Sequence, residues 1–532
     1  MQKVLFFNEQ ATREYFSFFT FRSNYFMATI RFFATSFIIA FTVIQATAQK
    51  EANVWITGDN YGFDFNYGRF RVFDRNPLSR NGATTASICD KETGELLFYS
   101  DGNTVYDKNF NIMPNGKGII SGSLFGQQDA LIMPAPGQTN KYYLFTVSSV
   151  EGARENGLYY TLIDLSLNGG RGDVVTETKN TLIFADASEA ITGTIHDNGK
   201  DFWLATHERG SDRFVIFPVT DRGVEDPAFY SFGPIYTSFP GGGSDGSIQI
   251  SPDRTLLTFN MNQDDTVSPV ELYDFDAGTG AISNRRELGE YSQVSTLIFS
   301  PDNSKLYMGS YNWESWPPLY GYLFQYDLTA GSIDTIINSR DSIRWQPRPT
   351  TFPIEVPVPS YNLQIGPDGR LYNGYITTTI NENLNAEQRL LFLINEPNAI
   401  LKYSYPSYIF IDYFKTNHWD DNEQSFPNFM QYYFNGLEPD DPIIMPKDCK
   451  DINFVIYPNP TDDDISIMSN KMDNCLYPVK IIVYNAQGKK LQAYDLPVGP
   501  LPVIDLVNYG AGIYLVKLQS FNQTIVKKII KL

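Results

Sequence analysis

Three histidines, three cysteines and sixty acids are this chain's stock for nucleophilic, acid–base or metal chemistry. His196 and His207 fall in one predicted hairpin beside Asp197 and Glu208, a grouping that would suit a metal or a proton relay. Spacing works against it. His196 ends one strand at the turn and His207 ends its partner far from it, so at about 3.3 Å per residue they stand roughly 20 Å apart. Ligands of one ion must lie about 2 Å from it. His418 lies in a polar loop with Asp420 and Asp421. There is no Gly-x-Ser-x-Gly elbow and no His-Glu-x-x-His, and Gly241-Gly242-Gly243-Ser244-Asp245-Gly246 lacks the Lys and helix of a phosphate cradle. No catalytic residue, metal site or cofactor is therefore assigned. Carboxylates are numerous enough for polysaccharide cleavage, and too numerous for one pair to stand out.

The elements that carry these groups read as strands. Aromatics make up 15% of the chain, and 39 Gly with 31 Pro punctuate aromatic and β-branched runs, the pattern of an all-β protein. Between about 50 and 440 a unit of strand, tight polar turn and aromatic strand recurs. It appears at Ser87–Tyr99, Ala130–Phe145, Gly193–Trp203, Ile248–Asp253, Leu297–Tyr307 and Leu363–Tyr372. Asp253, Asp302 and Asp368 sit in the turns. They miss the spacing of an EF-hand calcium loop and read as turn formers. Four-stranded units at this spacing predict a β-propeller, counted here as seven-bladed, with six and eight as alternatives. The unphased pieces, Val54–Gly58 with Gly62–Phe65 and Phe426–Tyr432, are expected to complete one blade from opposite ends of the chain.

A propeller gathers the loops after its second strands on one face, where binding residues concentrate. Those loops hold Asp101, Asn103, Glu151, Arg154, His207, Glu208, Arg209, Asn260, Asn262, Tyr311 and Trp313, the candidate ligand face. Tyr311–Tyr320 adds aromatic faces of the kind that stack on sugars or proline-rich peptides. Packing on a neighbouring blade is the plainer reading of that stretch.

A net charge of −19 with pI near 4.6 excludes the basic footprint needed for nucleic acid or an anionic membrane. At the start, Arg31, the apolar run Phe32–Ile44 and Ala46-Thr47-Ala48 form a secretory signal at 27–48, preceded by an upstream extension at 1–26. Cleavage after Ala48 would leave no membrane span, the run being short for one. Cys89 falls inside an apolar strand, whereas Cys449 and Cys475 could pair in an oxidising compartment.

After the propeller at 49–437 and a Pro- and Asp-rich linker at 438–451, residues 452–532 alternate as a small Ig-like β-sandwich. It opens on Pro458-Asn459-Pro460, turns at Gly488, continues through Gly512 and Tyr514, and ends on a strand with Lys527, Lys528 and Lys531. This pattern resembles the type A C-terminal sorting domain of the type IX secretion system of Bacteroidetes. The resemblance implies the secretion machinery as a partner, passage through the periplasm, and a cell-surface or secreted product whose tail is cut off in the linker. The order of Trp55–Asn66, Leu97–Asn103, Met113–Gly116, Gly157–Tyr160 and Phe426–Phe429 likewise resembles secreted Bacteroidetes propellers of unassigned activity. Asp265-Thr266-Val267, Asp334-Thr335-Ile336 and Asp341-Ser342-Ile343 resemble that phylum's O-glycosylation sequon. Three functions stay open: binding of a glycan or protein ligand, a polysaccharide hydrolase or lyase, and a structural adhesion or surface-layer part.

Overall fold

The structure is a computed structural model of the 532-residue chain. It describes residues 49–57, 62–67, 70–73, 85–121, 128–148, 157–236, 246–261, 267–291, 294–311, 321–345, 363–381, 386–401, 404, 406–415, 426–439, 454–461, 464–469, 479–496, 504–520 and 523–532. Seven antiparallel sheets follow one another among these residues, at 54–73, 86–117, 130–184, 187–236, 247–291, 294–345 and 363–415. From the second sheet onward each begins with a first strand and adds its partners stepwise in chain order.

Burial tracks the step outward. First strands Ala86–Cys89, Ser247–Ile250 and Val294–Phe299 are buried at every position, because neighbouring sheets cover both their faces. Ala281–Tyr291, a fourth strand, mixes exposed and half-buried positions with three buried ones. Neighbouring sheets share apolar cores. Ile248, Leu257 and Phe259 of the fifth pack with Phe214 and Ile216 of the fourth, and Leu297 and Phe299 of the sixth pack with Val270 and Leu272 of the fifth. The seventh reaches the first through Tyr372, whose ring centroid lies 5.5 Å from that of Trp55. The chain is an all-β propeller.

Closure depends on the first sheet, which has three strands. Val54–Ile56 runs opposite to Ala86–Cys89: Thr85 Oγ1 donates to the Ile56 carbonyl, Ser87 Oγ to that of Val54, and the Cys89 N–H to that of Glu51. It thus holds a second strand's place. The innermost place is taken by the returning segment Phe426–Met430, whose Phe426 and Phe429 rings lie 5.0 and 6.1 Å from Trp55. The two ends of the chain meet as expected, but Phe426–Met430 forms no strand and a 3-10 turn, Gln431–Phe434, follows. The reason is its axial course. Asn428 donates its N–H to Thr85 of the second sheet and its Nδ2 to Ile191 of the fourth, at 3.1 and 3.0 Å. Phe426, Phe429, Met430 and Phe434 are buried within the axial core.

Cys89, on the second sheet's first strand, is a buried free thiol that accepts the Val54 N–H at 3.2 Å. Burial pushes its pKa far up. Cys449 and Cys475 lie outside the described residues.

The tail folds into two sheets, one of Phe454–Tyr457, Asp464–Ser469 and Ile504–Asp505, the other of Lys490–Leu496, Val479–Asn485, Gly512–Ser520 and Gln523–Lys531 in that spatial order. Ile465, Ile467 and Ile504 face Ile481, Val483, Val516 and Leu518 in a core drawn from the tail's own residues.

Trp55→Ala should cost about 3–5 kcal/mol, the usual range for a fully buried large aromatic. Leu182→Ala, at a 45% exposed rim position, should cost under about 0.5 kcal/mol. Urea denaturation of the two variants checks the difference.

Candidate functional site

Strand alternation gives the ring two faces. First-to-second and third-to-fourth connections share one, the turn face. Second-to-third connections and the passages between sheets share the other, the loop face.

The turn face is hydrogen-bonded to itself. Asp253 accepts from Ser251 Oγ at 2.6 Å and from the Thr255 N–H at 3.1 Å, and Asp302 and Asp368 likewise serve their own turns. Left-handed residues close two of these turns, Arg254 with φ 66° and Asn303 with φ 64°. Bonds also run between sheets: Asp253 N–H to Asn303, Asp302 N–H to Asn398, and Arg254 to Asp197 at 2.8 Å. His196 lies on this face, where its Nδ1 accepts from the Asn198 N–H and its ring stacks on Trp203.

On the loop face the described candidate residues are spread over several sheets. Asp101 turns the chain after Leu96–Ser100, its carboxylate accepting the N–H groups of Asn103 and Thr104 at 2.9 and 2.7 Å. Glu208 pairs with Arg213, whose hydrogen bonds hold the carboxyl below its usual range. Arg209 follows at the strand end, its N–H bonded to Asp186. Asn260 is buried, and its Oδ1 accepts the Ser247 N–H at 3.1 Å. His207 is fully buried, stacked on Phe259 at 4.6 Å and edge-on to Phe214 and Tyr236. Neither of its ring nitrogens has a hydrogen-bond partner, and burial lowers its pKa to about 4. It is therefore a neutral core residue of the interface between the fourth and fifth sheets, and its placement on the ligand face is corrected on that ground. Tyr311 ends the strand Lys305–Tyr311. Glu151, Arg154, Asn262 and Trp313, like the stretches 241–245 and 312–320 and His418, lie outside the described residues.

Two carboxylates escaped the sequence reading. Asp129 and Glu189 are buried toward the loop face on neighbouring first strands, which meet where the Ile191 N–H donates to the Gln128 carbonyl at 3.0 Å. Gln128 itself spans from the third sheet to the fifth, bonding both backbone groups of Ile248 at 3.0 and 3.2 Å. An aspartate just before a strand and a glutamate within one are both too common to mark either acid from sequence. Among the described residues no three His, Cys, Asp or Glu side chains are grouped to hold a metal.

In the tail, Pro458-Asn459-Pro460 and the last strand are far apart in sequence and adjacent in space. Asn459 Nδ2 donates to the Lys528 carbonyl at 2.8 Å and its Oδ1 accepts the Ile530 N–H at 2.9 Å. Thr461 pairs with Lys531, which is buried, while Lys528 stays exposed. Tyr514 enters the core and donates to the Gly510 carbonyl at 2.6 Å, and Gly488 supplies φ 77° in its turn. Of the sequon phrases, Thr335 lies in the helix Ile333–Asn338, Ser342 in the rim strand Asp341–Trp345, and Thr266 outside the described residues.

Residues 455–532 match the secretion system C-terminal sorting domain. The tail is thus a sorting domain, and the chain is a cargo of the type IX machinery, exported to the cell surface or beyond. No curated protein matches the chain. Among solved structures it is similar to the periplasmic gluconolactonase of Pseudomonas aeruginosa, at 15% identity over 77% of this chain and 94% of that one, with a TM-score of 0.35. Hydrazine synthase of Kuenenia stuttgartiensis gives 12% identity over 65% and 77%, TM-score 0.30. An exo-β-1,3-galactanase of Phanerochaete chrysosporium gives 10% over 81% and 98%, also with TM-score 0.30. Among the described residues no helix is long and apolar enough to cross a membrane.

The His207 environment sets a pH dependence. Folded protein keeps this ring neutral down to about pH 4, whereas the unfolded chain takes up the proton near pH 6.5. Its contribution is complete above about pH 6.5 and falls by roughly 3 kcal/mol as the pH drops toward about 4. Denaturation midpoints of wild type and His207→Leu between those limits should show that part of the acid sensitivity disappearing in the variant. In the tail, Asn459→Ala should cost about 1–2 kcal/mol by releasing the closing strand. Faster amide exchange at Ile530 is the measurement that checks it.

Proposed function

We propose that this protein is an exported propeller that binds an extracellular glycan or protein through its loop face, without turning it over. One observation carries this reading. The axis, where a deep catalytic cavity would sit, is packed by Phe426, Phe429, Met430, Tyr432, Tyr433 and Phe434, all buried. Binding is left to loops around a filled centre, a shallow surface of the kind that recognises extended or macromolecular ligands. Asp101, Asn103, Glu208 and Arg209 contribute polar and charged groups there, with Glu151, Arg154, Asn262, Tyr311 and Trp313 from the adjoining loops. Pro458, Asn459, Pro460, Gly488, Gly512, Tyr514, Lys527, Lys528 and Lys531 serve the sorting signal, the glycines and Asn459 by shaping the sandwich and the exposed Lys528 by contact.

A hydrolytic reading has a specific observation of its own, the buried acids Asp129 and Glu189 toward the loop face of the third and fourth sheets. Glycan-array binding by the exported protein, run beside turnover assays on the same sugars, separates the two. Binding without product that survives Asp129→Asn and Glu189→Gln supports the proposal. Product formation abolished by either substitution overturns it.

Deleting residues 455–532 should leave the propeller in the periplasm, with at least about a tenfold fall in the surface and medium fraction, since the address is a discrete module. Cell fractionation and immunoblotting read this out.

A further inference from the structure

The tail's four-stranded sheet ends in an edge that the fold covers only in part. Gln523–Lys531 pairs with Gly512–Ser520 on one side. On the other, Asn459 bonds the Lys528 carbonyl and the Ile530 N–H, and Thr461 exchanges bonds of 2.9 Å with the Ile530 carbonyl and the Leu532 N–H. Those partners fill the edge from the Lys528 carbonyl onward. Backbone groups alternate between the two sides of an antiparallel strand, so the N–H groups of Thr524, Val526 and Lys528 and the carbonyls of Thr524 and Val526 point to that same side. Among the described residues no strand pairs with them. The side chains beside this gap are apolar and basic. The core takes Ile481, Val516, Leu518 and Ile529, so alternation turns Lys480, Ile513, Val526, Lys528 and Ile530 outward, and Val526 is 54% exposed. The four strands carry Lys480, Lys490, Lys517, Lys527, Lys528 and Lys531 against the single acid Asp495, whereas those of the smaller sheet carry Asp464 and Asp505 and no lysine.

We propose that this open edge is where the export machinery takes hold of the tail, by adding an extended acidic segment of its own as a further strand beside Thr524–Lys528. The proposal rests on the tail being a sorting domain and deepens that reading from an address to a contact. A row of unpaired N–H and carbonyl groups is a template for another strand, because strand addition satisfies each of them in register. Lysines by themselves would only guard such an edge against self-association. The exposed Val526, Ile513 and Ile530 beside them make it a place for a partner. A second copy of the tail is disfavoured, since it would set one lysine-bearing strand beside another. An acidic strand meets both features at once: its backbone completes the ladder, and its carboxylates pair with Lys528 and the neighbouring lysines. Because Asn459 and Thr461 occupy the end of the edge, the added strand stops at Lys528, and this fixes its register.

The experiment follows full-length variants in exporting cells, reading the surface and medium fraction by immunoblotting. Val526→Pro removes an edge N–H that the fold leaves unused, at a strand position where proline is tolerated, and Lys528→Glu reverses the charge beside it. Each should lower the exported fraction at least about tenfold, the loss expected when a strand can no longer be added or matched in charge. Val526→Thr and Lys528→Arg, which keep the N–H and the charge, should restore it to within about threefold of wild type. Val507→Glu, at a 57% exposed position following the smaller sheet's Ile504–Asp505, should leave it unchanged. Amide exchange of the purified full-length proteins reports whether the tail's strands are still folded, and Thr524→Pro repeats the test should Val526→Pro unfold them. Undiminished export of a folded proline variant or of Lys528→Glu overturns the proposal, as does an equal loss in Val507→Glu. A wild-type dimer that Val526→Pro dissociates, read by sedimentation, puts a second copy at the edge and overturns it too. Deletion of residues 455–532 separates the two readings. If the shortened protein still reaches the surface, the export reading fails. If it stays in the periplasm while the point variants are exported, the edge proposal alone falls.

Discussion

The contact of Trp55 with Phe426, Phe429 and Tyr372 is the constraint on which the ring depends, because it joins the first sheet, the last sheet and the returning chain at one point. From the second sheet to the seventh, adjacent sheets are also consecutive in sequence. The contact at Trp55 brings the ends together, and its loop-closure entropy must be met before its apolar contacts are formed. Dense aromatic packing is the available means. Phe63, Phe65 and Phe70 add further edge-on and tilted rings around the same indole and Tyr372. A chain that ends in an export signal thus completes its fold with the residues just before that signal.

The closing segment also divides the molecule's labour. By filling the axis with apolar rings, it makes the centre part of the core and leaves recognition to the periphery. Polar groups near the axis serve the same end. Gln128 and Asn428 each reach across to a sheet that is not their neighbour, tying together sheets that are not adjacent in the ring. Buried charge is likewise structural at the seam between the fourth and fifth sheets. Glu271, fully buried, accepts from Tyr273 and Arg285 at 2.6 Å each, and Gly233, at φ 77°, lets the fourth sheet approach that pair closely. Such a pair adds little net stability but disfavours other registers, since Glu271 alone would be a buried charge without its partner.

Much of the fold was legible in the sequence because hairpin turns state themselves locally. Ser-Pro-Asp and Gly-Pro-Asp name the turn, the strand before it and the strand after it, and the Asp side chains do what their chemistry suggests. The tail was legible for a similar reason, through Pro-Asn-Pro and an alternating final strand. What sequence could not show was anything decided by distant neighbours. His207 followed by Glu208 and Arg209 reads as a polar loop. In space the backbone turns its imidazole inward among Phe214, Tyr236 and Phe259. Phe426–Tyr432 reads as a strand, yet its Asn428 finds partners on two different sheets and no continuous ladder. Asp129 and Glu189 look like surface acids until the neighbouring sheets bury them.

Cys89 has a consequence for life outside the cytoplasm. Its thiol is roofed by neighbouring strands and held far from ionisation, and only a thiolate attacks a disulfide. While the ring stays shut, oxidases and small oxidants outside the cytoplasm cannot reach this thiol. An opened ring would expose a competent nucleophile, so this one sulfur reports whether the cargo kept its shape on the way out.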